Sequence, residues 1–229
     1  MNPSTKTKTL AVLAGLSLVT ISANAAIITG VSLKDSDGSE PNGQMTASDA
    51  IDGTGLSSLS FTATHSTTWN QHWFSGTATG AFITVDLGDS YVLDTIHIWN
   101  ENENNAGYLR GLKDASIYVS PDGDTANLIK LNTSGSSVAN GANGTGDFLF
   151  SIGPQDSGYA GFGLDLSVIT NASLLANVRL VKIETITNHG TSSGSGLAEV
   201  QFGGVAVPEP TTTALLGIGG LALILRRRK

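Results

Sequence analysis

Apolar and polar positions alternate most regularly between Gly80 and Gly123. Ile83, Val85 and Leu87 fall on one face of a first run, Ile96 and Ile98 on one face of a second, and Ile117 and Val119 on one face of a third. Turn residues close each run: Gly88-Asp89, the Asn/Glu/Gly-rich stretch 100–107, and Pro121-Asp122-Gly123. A period of two bounded by turn chemistry predicts half-buried strands of an antiparallel sheet. The flanks extend the pattern. A first strand is expected over 26–33 and short ones over 128–131 and 148–152. Longer ones follow over 178–186, with Val181 and Ile183 inward, and over 197–202, with Val200 and Phe202 inward. A helical turn at 47–51 runs into an Asp52-Gly53 bend, a short helix is expected within 167–176, and the Gly/Ser/Asn-rich stretch 132–146 reads as an exposed loop. About eight strands at this spacing predict an all-β domain, a β-sandwich of the jelly-roll type. The absence of an internal repeat argues against a solenoid or propeller.

The two ends follow a different logic. Lys6 and Lys8 precede an apolar run, 10–21, and the small residues Ala23-Asn24-Ala25. That order predicts a secretory signal helix over 1–25, cut after Ala25 or Ala26. At the other end Val207-Pro208-Glu209-Pro210 is followed by an apolar run, 211–225, and by Arg226-Arg227-Arg228-Lys229. Such a run is short for a transmembrane helix, which takes about 20 residues, and its basic end should stay cytoplasmic. Gly217, Gly219 and Gly220 would permit close packing against another helix. Pro208, Glu209 and Pro210, the short apolar helix and the terminal Arg cluster together resemble the PEP-CTERM sorting signal of Gram-negative bacteria. The resemblance implies export, transient anchoring in the inner membrane, removal of 207–229 by an exosortase-type transpeptidase, and a place at the cell surface or in the exopolysaccharide matrix.

Removing these ends leaves a domain at 26–206 and changes the charge. The chain carries −7 overall, but six of its twelve basic residues and one of its nineteen acidic residues lie in the ends, so the remainder is near −12. Such a surface repels nucleic acid and anionic membrane and suits cations or neutral polar ligands. Without cysteine there are no disulfides and no thiol chemistry, so stability must come from the core or from a bound metal.

Four pieces of this domain, in order, resemble the discoidin, or coagulation factor 5/8 type C, family, which overlaps carbohydrate-binding module family 32 and the galactose-binding-like jelly rolls. They are Ala47-Ser48-Asp49-Ala50-Ile51-Asp52-Gly53-Thr54, Ile83-Thr84-Val85-Asp86-Leu87-Gly88, Ile117-Tyr118-Val119-Ser120-Pro121-Asp122-Gly123, and the pair 178–183 with 197–200. The sequence departs from that pattern at Asp124-Thr125, where an aromatic is usual, and in the length of 132–146. The resemblance implies a structural Ca2+ held by the carboxylates of Asp52 and Glu199 and by backbone carbonyls of Asp49, Thr54 and Ala198. Calcium accepts six to eight oxygens of these kinds. The acidic loop Asp35, Asp37, Glu40 is a weaker metal candidate, because it lacks EF-hand spacing.

The same resemblance places ligands on loops at one end of the sandwich. A sugar needs planar polar groups for its hydroxyls and an aromatic face for its C–H surface. Two loops carry both kinds: Trp69, Asn70, His72, Trp73 and Phe74 on one, and Asn100 to Asn105 with Arg110 on the other, with Asn188-His189 as a third candidate. His72, Trp73, Asn100, Asn102, Arg110 and His189 are therefore the expected contacts to a glycan or exopolysaccharide. At least one of Trp69, Trp73 and Phe74 is expected in the core. No nucleophile elbow, zinc-protease motif or phosphate loop is present, and the four His residues are dispersed. The reading is a non-catalytic, lectin-like exported protein; the alternative is a structural matrix or adhesion protein without a defined sugar pocket, and behind it a polysaccharide-active enzyme such as a lyase or hydrolase.

Overall fold

The computed structural model describes residues 26–38 and 43–208. The expected signal helix, Glu40, and the tail from Glu209 on lie outside the described residues. Among those described, no helix is long and apolar enough to cross a membrane.

Among the described residues ten strands build the domain: β1 (Ala26–Ile27), β2 (Ser32–Ser36), β3 (Trp73–Ser75), β4 (Phe82–Asn100), β5 (Leu112–Ser120), β6 (Ile129–Lys130), β7 (Phe148–Leu149), β8 (Phe162–Gly163), β9 (Val178–Asn188) and β10 (Ser195–Ala206). Two of the expected alternating runs are one continuous strand. The first part of β4, 82–86, pairs with β2 and β9, and the second part, 91–100, pairs with β10. Gly88, at φ +86°, sits where the β4–β9 register breaks between Asp86 and Tyr91. A residue without Cβ adopts that angle freely, which lets the strand turn from one layer into the other.

The layers follow from these pairings. One contains β2, the first part of β4, β9 and β5, with β6 and β7 along the outer edge of β5. The other contains β10 between the second part of β4 and the short strands β1 and β3, with β8 beyond β4. Ile83, Val85, Ile117, Val119, Val181 and Ile183 from the first layer share one core with Ile96, Ile98, Val200 and Phe202 from the second, and Trp73, Phe148 and Phe150 fill the remaining space. Each such side chain contributes about 1.5–3 kcal/mol by leaving water. Trp99, on the opposite face from Ile98, packs with Ala63 and Ala198 under Leu56 and Tyr159 and donates its Nε1–H to Ala63 O at 2.9 Å. The outer face of the second layer is therefore covered rather than wet.

Four expectations need adjusting. The first strand, expected over 26–33, is two, β1 and β2, which pair in different layers. The helical turn at 47–51 is a 3-10 turn, Ala47–Ala50. The helix expected within 167–176 is two short 3-10 turns, Leu166–Val168 and Ala172–Ala176. The stretch 132–146 is not simply exposed: it folds back on β7 through Leu149 N to Gly141 O (2.8 Å), and Ala142 is buried.

The topology creates two poles. At one, β4 and β9 end and β5 and β10 begin, so the loops 101–111 and 189–194 lie together there, with 65–72 packed against the first of them. At the other, the turn at Gly88–Ser90 meets Pro121 through Ser90 Oγ, and the chain leaves through Val207, whose N–H donates to Ser90 O at 2.8 Å.

Candidate functional site

The loop pole is built on Asn100, the last residue of β4. Its Oδ1 accepts from Leu112 N (2.9 Å) and Glu101 N (3.0 Å), and its Nδ2 donates to Leu112 O (2.7 Å) and Ser151 O (2.8 Å). A carboxamide has two donors and two acceptor sites, and here all four are used inside the protein. Asn102, also fully buried, donates from Nδ2 to the carbonyls of His65 (3.3 Å) and Asp156 (3.1 Å). These two residues join three loops and do not face solvent.

Between them lies Glu101, with its side chain at 0% exposure, 2.5 Å through Oε1 from Nδ1 of the equally buried His72. The other His72 nitrogen, Nε2, faces Ser66 O at 3.2 Å. Both ring nitrogens face acceptor atoms, an arrangement met by an imidazolium beside a carboxylate, or by a neutral ring if Glu101 carries the shared proton. His65 sits edge-on to the His72 ring at 4.9 Å between centroids. Its Nδ1 faces Ser66 O at 2.8 Å, and its Nε2 has no partner among the described residues. That arrangement suits the neutral tautomer. Burial, and then the charge on His72, push its pKa down to about 4.

These placements correct the expected ligand contacts. His72, Trp73, Asn100 and Asn102 are each 0% exposed and cannot reach a sugar from solution. Trp73 belongs to the core, and the other three hold the loops from beneath. Arg110 is near the surface but occupied: its guanidinium pairs with Glu103, lies 4.5 Å over the Phe74 ring, and donates from Nε to Gly107 O at 3.3 Å. The two partners are only 16% and 17% exposed. His189 is half-buried, its N–H donates to Gly111 O, and burial lowers its pKa, so it is neutral at pH 7.

The groups that do face solvent are different ones. Trp69, in the 3-10 turn Trp69–Gln71, is 42% exposed. Its loop is tied to the next by Asn104 Nδ2 donating to Thr67 Oγ1 at 3.1 Å, and Thr68, Asn70, Asn104 and Asn105 are exposed around it. An aromatic face beside amides and hydroxyls is the chemistry that a sugar ring requires. The sequence already offered Trp69 as one of three neighbouring aromatics. Glu101 carried no signal at all, because its partner lies 29 positions away.

The metal candidates fall on the 3-10 turn, the bend after it and β10. Glu199 is 1% exposed, and its Oε2 accepts from Gly53 N at 3.0 Å. Burial, with the like charges of Asp52 and Asp49 behind it, pushes its pKa up to about 9. Asp52 Oδ1 accepts from Thr54 N (2.6 Å), and Asp49 Oδ2 accepts from Thr46 N (2.5 Å) in a capping box. Ala198 is buried beside Trp99. Among the described residues no three His or acidic side chains converge on one point. A cation here would thus need backbone carbonyls to complete its shell. The donor set fits on one count: a buried carboxylate faces acidic neighbours, and no cationic side chain contributes to its shift. In the acidic loop, Asp37 accepts from Ser75 Oγ, and Asp35 Oδ1 accepts from Ser36 N at 2.9 Å, so both serve local structure.

The two packed layers make a β-sandwich, and its fold is that of solved domains with galactose-binding-like architecture. The C-terminal domain of a chitobiase from Bacteroides fragilis superposes with TM-score 0.51 at 14% identity, over 81% of this chain and 100% of that one. A fragment assigned as a chitobiase from Bacteroides thetaiotaomicron gives 0.50 at 15%, over 83% and 98%. An F5/8 type C domain from Bacteroides fragilis aligns at TM-score 0.49 and 16% identity over 80% and 97%. The chain spans only 16% of the length of a Family 89 glycoside hydrolase from Clostridium perfringens that it also matches. No curated protein matches it in sequence. Residues 206–229 match the PEP-CTERM protein-sorting motif, which assigns the protein to export with membrane-anchored processing.

Proposed function

We propose that the protein is an exported, non-catalytic carbohydrate-binding domain that takes a glycan on the loop pole, against Trp69 and the exposed amides of Asn104 and Asn105. The observation that carries this reading is the exposed indole of Trp69, in a loop held to the next by the Thr67–Asn104 hydrogen bond and supported beneath by the His72–Glu101 ion pair. Arg110 contributes by fixing the 103–110 turn, not by reaching the sugar. The chain leaves the domain at the pole opposite these loops, so a tail still in the membrane would leave the site facing outward. An exosortase-type transpeptidase acting on Pro208, Glu209 and Pro210 would then release the domain to the cell surface or exopolysaccharide.

A structural Ca2+ belongs to the same reading. Asp52 and Glu199 would supply carboxylates, and Asp49, Thr54 and Ala198 carbonyls, tying the bend to the last strand. When bound, it supplies two positive charges to a buried acidic site.

A glycan array probed with the protein, with calcium and with chelator, tests the function. Saturable binding lost in Trp69→Ala, with an unchanged melting temperature, is the expected result. No binding to any glycan would favour the second reading, a structural matrix protein. The burial of four expected sugar contacts is the observation on that side.

A further inference from the structure

The sorting motif begins where the sheet ends, with no linker between them. Residues 206–229 match it, and β10 runs into the first of those residues. Val205 pairs with Val92 and Ala206 with Tyr91 on β4, and Val207 N donates to Ser90 O at 2.8 Å. Pro208 is the next residue. An extended chain spans at most about 3.6 Å per residue, so Pro208, Glu209 and Pro210 all stay within about 11 Å of Val207. The apolar run starts one residue further on, at Thr211.

Two features make this strand end separable from the rest of β10. The β10–β4 register shifts between Gly203 and Gly204, a bulge that sets 205–207 apart from the part of the strand that carries Val200 and Phe202. β1 holds the same two glycines from the other side (Ala26 opposite Gly204, Ile27 opposite Gly203), so its pairing stops short of Val205. Adjacent glycines give the backbone a point about which to swing. Burial changes at the same place. Phe202 is wholly buried, whereas Val205 and Val207 are half-buried and Ala206 and Pro208 are exposed. Opening 205–207 therefore exposes little apolar surface and leaves the core closed. Segments with few buried apolar contacts open at the lowest cost.

We propose that residues 205–207 belong to the processing site, and that this strand end must leave β4 before the tail is removed. An enzyme that takes an extended peptide holds it by main-chain N–H and C=O groups. With the strand closed, the Val207 N–H is taken by Ser90 O, and the turn 88–90, held to Pro121 by Ser90 Oγ, stands beside the chain at the motif. Opening frees those groups and adds about 10 Å of reach, three residues' worth, between the motif and the domain. Transpeptidation then breaks one peptide bond: the domain's acyl group passes through a nucleophile of the enzyme to an acceptor amine, and the tail leaves with a new amino terminus. The pairing of β10 with β4 thus sets how fast the domain is released. This inference rests on the sorting role of the tail and is independent of the glycan site.

The test uses the full chain in a Gram-negative host that carries the exosortase-type enzyme, with tail removal followed by pulse-chase and intact mass. Val92→Cys with Val205→Cys ties the strand end shut in the oxidising periplasm. Directly opposite residues of an antiparallel pair lie about 4.5–5.5 Å apart, within disulfide range, and the chain has no cysteine of its own to compete. Removal should slow at least tenfold relative to either single-cysteine variant and return on adding reductant. Six Gly/Ser residues inserted between Val207 and Pro208 should restore it with the disulfide intact, because the motif then no longer draws on the strand. Two further changes need no disulfide. Val92→Gly weakens the pairing from the β4 side and leaves 206–229 untouched. That change, and the insertion alone, should each speed removal at least twofold. The proposal is overturned if the cross-linked chain is processed at the single-cysteine rate, if the insertion does not relieve the block, or if Val92→Gly and the insertion alone both leave the rate unaltered. If the wild type itself keeps its tail, the sorting role fails and the proposal falls with it.

Discussion

His65 makes the folded protein sensitive to acid, and replacing it with glutamine measures by how much. The neutral ring is buried against His72 and has a pKa of about 4, while in the unfolded chain it titrates near 6.5. A group whose folded pKa is lowered stabilises the fold above its unfolded pKa. That contribution is lost as pH falls through the window to the folded pKa. Here the window runs from about 6.5 to about 4, and 2.5 units at about 1.36 kcal/mol each gives a loss of about 3 kcal/mol by pH 4. That is a large share of the roughly 5–15 kcal/mol that holds a domain together. His65→Gln keeps a side-chain donor for Ser66 O but removes the titration. The assay is urea unfolding of wild type and variant at half-unit steps from pH 7.5 to pH 4. The wild type should lead at neutral pH through better packing, and the difference should shrink by about 3 kcal/mol on acidification. Parallel pH profiles would refute the buried neutral assignment of His65.

Other expectations follow from the same interior. Glu101→Gln should destabilise by about 3–5 kcal/mol, because it removes one partner of the buried His72–Glu101 pair; the double change His72→Gln with Glu101→Gln should cost much less than the sum, as chemical denaturation of the four species would show. Asn100→Ala strips partners from buried backbone groups at both Leu112 and Ser151, so a loss of at least about 3 kcal/mol is expected in the same measurement. Gly194→Ala should fail to express as folded protein or melt well below wild type: at φ +145° its Cβ would stand 2.0 Å from Ser75 O. If calcium binds at Asp52 and Glu199, chelator should lower the wild-type melting temperature by several degrees and leave Glu199→Gln unaffected; equal responses in calorimetry would remove the metal from the account.

The strands were legible because their information is local. Ile83, Val85 and Leu87, or Ile117 and Val119, declare a buried face by spacing alone, and the structure buries those side chains. What spacing could not show is that the runs on either side of Gly88 lie in different layers: 82–86 runs one way beside β9 and 91–100 runs back beside β10, so the Gly88-Asp89 pair does reverse the chain, but from one layer to the other rather than within a hairpin. The loop pole was harder for a related reason. Asn100, Glu101 and Asn102 look like an exposed polar loop, and their composition suits a sugar. Yet the end of a strand leaves backbone groups of three neighbouring segments unpaired, and a buried polar side chain is what satisfies them. A sequence shows the type of residue but not which side of it meets water. Asn100 and Asn104 are the same residue type four positions apart, one at the end of β4 with all four hydrogen bonds turned inward and the other exposed in the loop beside Trp69. Only the partners, at positions as distant as 112 and 151, separate them. A glycan should therefore respond to changes at Asn104, through direct contact, at unchanged stability. At Asn100 binding and folding should fail together, and that pairing of readouts tells a rim residue from a supporting one.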